Sequence, residues 1–153
     1  MQILEILLAG FVGTSAMTLF SYRVSRSKNK NFREPQLLNE LIDRLPQNAS
    51  QKYPKFAGWG IHYTIGLFFV ACYSEIWDQT RLKPSFASGT VMGAVNGIVG
   101  VMGWKLMFKA HPNPPAKDLT PFFGHLIIAH MVFGVFSAIT FSIAEGNLRK
   151  GLQ

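Results

Sequence analysis

Residues 86–108 read FASGTVMGAVNGIVGVMGWKLMF. Gly89, Gly93, Asn96, Gly97, Gly100 and Gly103 recur so that, at helical spacing, all six fall on one arc of roughly 120°. That face is almost bare backbone. The stretch has no charge before Lys105, and its length suits a hydrocarbon core of roughly 30 Å. A stripe of small residues lets membrane helices approach closely, because lipid offers no hydrophobic drive for pairing. The reading is one helix of a membrane bundle, with these glycines as its packing face.

Three more apolar blocks lie outside it: Ile3–Tyr22, Gly58–Trp77 and Pro121–Ala144. Each is long enough to span. The 153 residues therefore predict one all-α domain, a four-helix transmembrane bundle with spans at 3–22, 58–77, 86–108 and 121–144. The first block lacks a basic leader region and a small-x-small cleavage site, so it reads as a retained span. Cys72 is the sole cysteine, which leaves no intrachain disulfide.

The net charge of +7 is a matter of placement. Eleven of the 15 Lys and Arg residues, from Arg23 to Lys55 and at Lys105, Lys109 and Lys117, lie in or beside the two loops after spans 1 and 3. The positive-inside rule puts those loops in the cytoplasm and both termini on the outer side, which is the periplasmic side of the bacterial inner membrane that the resemblance given below implies. The basic residues then face anionic lipid headgroups, and nucleic acid is not an expected partner. Tyr22, Trp59 and Trp104 at the inner border and Trp77 at the outer one read as interfacial anchors.

The inner loop 23–57 is not uniform. Ser25–Arg33 reads as an irregular, lipid-facing tether. Leu37, Leu38, Leu41, Ile42 and Leu45 then form one stripe behind Pro35, predicting a short amphipathic helix over Gln36–Leu45 at the inner interface or on the bundle. Pro46 ends it. Gln47–Lys55 leads back to the membrane. In the second inner loop, His111-Pro-Asn-Pro-Pro115 is extended and stiff, because three prolines forbid a helix.

Histidines are the candidate ligand groups. His111 is on the inner loop, His62 and His125 are about one turn inside the inner interface, and His130 lies about 13 Å deep. Imidazoles suit haem or a transition metal, although no cofactor is expected on the pattern alone. His125 and His130 are about 140° apart around one helix and form no chelating pair. His62 and His130 are expected to face the interior, with His125 nearer the headgroups. Thr14, Asn96 and His130 share a depth on the small faces of three spans, which predicts an internal polar layer. Glu5, Glu75, Asp78 and Glu145 read as a solvated outer rim.

Gly-Trp-x-x-His-Tyr (58–63), the glycine-striped third span, His-Pro-x-Pro-Pro (111–115) and Gly-His-x-x-x-x-His (124–130) together resemble small four-span inner-membrane proteins of bacteria. The resemblance implies the architecture and the membrane and transfers no site. No HExxH, GxSxG or Cys/His cluster is present, so no catalytic residue is assigned and the sequence leans away from an enzyme. The first functional expectation is an accessory, assembly or oligomeric structural protein acting through helix–helix association, in a homo-oligomer or larger membrane complex. The alternatives are a haem- or metal-binding protein using His62, His125 or His130, and a transport or channel component active as an oligomer.

Overall fold

The computed structural model describes residues 2–46 and 56–150, with side chains as far as 146. These residues form five helices and no strand: α1 Gln2–Lys28, α2 Glu34–Asp43, α3 Ala57–Gln79, α4 Phe86–Ala110 and α5 Thr120–Lys150. Among the described residues three helices are long and apolar enough to cross a membrane: α1, α4 and α5 over Thr120–Gly146. The α3 helix falls outside that group. Its length suffices, but His62, Tyr63, Ser74, Glu75 and Asp78 dilute its apolar run.

The helix α5 is the hub, packed along α4 on one side and α1 on the other, while α1 also packs on α3. Phe133, Leu126, Val70 and Ala9 form the centre of the buried core. Between α3 and α4 no extensive packing exists. They meet where Asn96 Nδ2 donates to Tyr73 Oη at 2.8 Å.

Local sequence sets the ends. Ser85 and Ser88 form a reciprocal capping box at the start of α4. Asp118 accepts the Thr120 amide at 3.0 Å, which holds its carboxyl below the usual range. The basic stretch after Tyr22 is not an irregular tether up to Arg33, because α1 continues through Lys28. Asn29 stops it at φ 50°, and the Lys30 amide reaches back to the Ser25 carbonyl at 3.2 Å. A left-handed residue with such a back-bond is a Schellman ending. Phe32 is thereby returned to the bundle, where its amide donates to Ser25 Oγ at 3.0 Å.

The amphipathic helix begins two residues earlier than its stripe suggested, with Pro35 in its first turn, and ends at Asp43. It docks on α3. Asn39 Oδ1 accepts the Gly58 amide at 2.7 Å, and a side chain at Gly58 would collide with the Pro35 carbonyl. Gln47–Lys55 lies outside the described residues. Trp77 and Trp104 are buried, correcting their reading as interfacial anchors. Each is clasped by an aromatic of α5, Phe141 at 5.0 Å and Phe122 at 5.2 Å between ring centroids. Glu5 is buried as well, 3% exposed, and so is no part of a solvated rim.

Candidate functional site

A cavity of about 350 Å³ occupies the gap between α3 and α4. Its rear wall is Thr14, Met17, His130 and Phe133, from α1 and α5. Glu34 and Leu38 of α2 line it from the loop side. Ile65 of α3 and Val99, Leu106 and Met107 of α4 also line it, and all four are exposed on the outer surface of the bundle. The cavity therefore opens sideways through an apolar rim. Among the described residues the lining is overwhelmingly apolar, with four polar side chains converging on it: Thr14, Glu34, His62 and His130.

Hydrogen-bond geometry sets the proton positions. The Thr18 hydroxyl donates to the Thr14 carbonyl at 2.7 Å. Its single proton is thus used, so Thr18 Oγ1 accepts from His62 Nε2 at 3.0 Å. The neutral ring then presents Nδ1 as an acceptor, and Nδ1 lies 3.8 Å from Glu34 Oε2. Burial pushes the Glu34 carboxyl up to about 8, because a charge removed from water is penalised. At neutral pH the carboxyl keeps its proton and faces a nitrogen able to take it. The separation exceeds hydrogen-bond length, and a shift of several tenths of an ångström would close it.

His130 is oriented the other way. Its Nδ1 lies 2.9 Å from the Leu126 carbonyl, and a carbonyl only accepts, so Nδ1 carries the proton. Nε2 then presents a lone pair toward Gly100, where an added Cβ would sit 3.4 Å from it. Thr14 Oγ1 is buried without a hydrogen-bond partner among the described residues. It rests against Gly66, whose missing side chain makes room for it.

The other sequence-derived candidates lie elsewhere. His125 is buried within the bundle, as His62 and His130 are. Its Nε2 lies 2.9 Å from Ser21 Oγ, and the ring sits between Phe20 and the returned Phe32. His111 Nε2 donates to the Leu41 carbonyl at 2.8 Å, tying the proline loop to the end of α2. No group of three or more His, Cys, Asp or Glu side chains among the described residues is placed to hold a metal ion. Thr14, Asn96 and His130 are all buried, but each takes a separate course instead of bonding within one layer.

The glycines of α4 divide by position. Side chains at Gly89, Gly93 and Gly97 would collide with the α5 backbone at Gly134, His130 and Ile127. Gly100 and Gly103 face the cavity, and a Cβ on Gly103 would meet nothing within 4 Å.

Glu34 and Thr18 were not singled out from sequence, yet a signal exists for both. Glu34 shares the i, i+4, i+7 face with Leu38 and Leu41, which places a carboxylate on an apolar stripe. Thr14, Thr18, Ser21 and Ser25 recur at four, three and four residues, a ladder of hydroxyls on the inward face of α1. Compared with family models, curated proteins and solved structures, the chain matches none.

Proposed function

We propose that this protein binds a lipid-soluble small molecule in the cleft between α3 and α4, within a bundle whose α1, α3, α4 and α5 all cross a bacterial inner membrane. The observation that carries the reading is the cavity itself: apolar, opening sideways through Ile65, Val99, Leu106 and Met107, and provided with a few convergent polar groups. Such a combination is the usual character of a small-molecule site. An exposed apolar rim is costly in water and comfortable in lipid, so the occupant arrives from the bilayer.

Four spans with both termini outside put α2 and the proline loop together on the inner side. Three contacts support that parity. His111 bonds the α2 backbone, Lys117 pairs with Glu40, and at the other end of the bundle Gln2 bonds Asp78. A binding role also accounts for the two glycines the helix interface leaves over, since Gly100 and Gly103 keep the cleft open. Association through the glycine face is less well supported, because Gly89, Gly93 and Gly97 are already spent on α5.

The test is solvent extraction and mass spectrometry of the full chain purified in mild detergent, beside Gly103→Phe. The variant fills open space and should fold. Wild-type protein is expected to carry a bound apolar molecule at a defined stoichiometry and the variant to lose it. Equal lipid content in both would refute a specific occupant.

A further inference from the structure

Where α1, α2 and α3 meet at the inner end of the bundle, a positive charge is held in place with no carboxylate to match it. The Arg33 guanidinium carbon lies 4.7 Å from the centre of the Tyr22 ring, and its Nη1 donates to Gln36 Oε1 at 3.3 Å. The same amide donates from Nε2 to Tyr22 Oη at 3.4 Å, so guanidinium and phenol hydroxyl stand side by side. Tyr22 in turn packs on Trp59 of α3, with ring centres 6.2 Å apart. All eight Asp and Glu residues of the chain lie among the described residues. The ion pairs they form there go to Arg44, Lys117 and His62. Glu34, next in sequence to Arg33, is buried toward His62 instead.

We propose that this cluster is a binding site for the phosphate of one anionic phospholipid, held by the Arg33 guanidinium and the Tyr22 hydroxyl. The step rests on the membrane placement of the bundle and is independent of what the cleft holds. A guanidinium only donates, along its whole edge. Nη1 is shared with Gln36 and Nε is enclosed, which leaves the Nη2 edge of a half-buried side chain. Tyr22 Oη accepts from Gln36 and keeps its own proton to give. The planar fork of arginine matches phosphate oxygens, and the hydroxyl adds a neutral donor beside it. Tyr22 and Gln36 hold the guanidinium before the ligand arrives, so little side-chain freedom is lost on binding.

The surroundings favour a lipid over a soluble phosphate. Tyr22 and Trp59 are half-buried aromatics, of the kind that sit at headgroup level. Leu19, one helical turn deeper on the face of Tyr22, is 62% exposed and gives an acyl chain an apolar path. A zwitterionic lipid carries an ammonium beside its phosphate and so compensates Arg33 less than an anionic one.

Native mass spectrometry of the full-length chain in a nonionic detergent tests this. Phosphatidylglycerol and phosphatidylcholine with identical acyl chains are titrated against it, with inorganic phosphate as competitor. One phosphatidylglycerol is expected to stay bound at a concentration at least about tenfold below that needed for phosphatidylcholine, as a charge-assisted hydrogen bond implies. Arg33→Gln should bring the two lipids level. Tyr22→Phe keeps the ring beside Arg33 and should weaken phosphatidylglycerol about three- to tenfold. Arg23→Gln, which removes an exposed charge from the same end of α1, and Gly103→Phe, which fills the cleft, should change neither lipid. If Arg33→Gln does not fold, the comparison of Tyr22→Phe with Arg23→Gln decides. Equal retention of both lipids by the wild-type protein overturns the site, as does a loss in Arg23→Gln equal to that in Arg33→Gln or Tyr22→Phe. A loss in Gly103→Phe would put the lipid in the cleft and overturn it too. Displacement of the lipid by millimolar phosphate would show a site for the free anion and overturn the lipid assignment.

Discussion

Glu34 Oε2 on α2 stands 3.8 Å from His62 Nδ1 on α3, with both side chains less than a tenth exposed. The pair joins a helix that does not cross the bundle to one that does. Through His62 Nε2 and Thr18 it continues to the backbone of α1 at Thr14. A carboxyl in water ionises near 4.5, whereas burial raises this one to about 8. The docking of α2 is therefore tied to a proton.

The sign of that coupling is fixed. Folding raises the Glu34 pKa, so between about pH 4.5 and 8 the folded chain holds a proton that the unfolded chain has released. The stabilisation is complete below about pH 4.5 and is lost as pH rises to about 8. The slope is at most about 1.4 kcal/mol per pH unit. Thermal unfolding in detergent across this range should show stability falling with pH, and Glu34→Gln should flatten the profile. A wild-type curve as flat as that of the variant would show that Glu34 ionises freely and that α2 is held by its leucines alone.

Thr18 makes a second, separable prediction. It receives the Nε2 proton of His62 while donating to the Thr14 carbonyl. Thr18→Val keeps the shape and removes both roles, leaving a buried N–H unmatched, at a cost of about 1–3 kcal/mol. Thr18→Ser keeps the hydroxyl and should recover most of the loss. Denaturation of the three proteins side by side checks this, and a serine variant as weak as the valine variant would point to methyl packing instead of the hydrogen bond.

The inward faces of α1 and α3 were legible because they are local patterns. Gly10, Thr14, Met17 and Ser21 on one, and Gly58, His62, Gly66, Phe69 and Tyr73 on the other, recur at helical spacing, and all are buried except the half-buried Phe69. The inward placement of His130 followed from its small neighbours Gly134, Ser137 and Ala138 in the same way. What was not legible depends on contacts distant in sequence. His125 is covered because Asn29 turns the chain and brings Phe32 back over it. Glu34 is buried because α2 docks on α3 through Asn39 and Gly58. The cavity arises where α3 and α4 fail to pack, and a gap between helices has no pattern within either one.

The α4–α5 contact yields a graded prediction. Side chains at Gly93 and Gly97 would press on backbone, the His130 carbonyl and Ile127 Cα respectively, which cannot rotate aside. Gly93→Leu and Gly97→Leu should destabilise by at least the roughly 1–3 kcal/mol typical of overpacking. Gly103→Leu enters open space and Ile98→Leu stays on an exposed surface, so both should unfold near the wild-type temperature. If all four melt alike, α4 does not rest on α5 through these glycines.

Sidedness can be tested with the chain's own chemistry. The inner side is assigned 11 of 15 cationic residues, and transferring a cationic loop outward is opposed during insertion. Lys28 closes α1 at that end, while Lys83 lies in the short connection between α3 and α4 at the other. Cys72 is exposed on α3 within the predicted span, so it is first replaced by Ala. Lys28→Cys and Lys83→Cys are then introduced singly and challenged in intact cells with a membrane-impermeant maleimide. Lys83→Cys should label at once and Lys28→Cys only after lysis. The reverse order would place the termini inside, and labelling of both in intact cells would mean that α3 does not cross the bilayer.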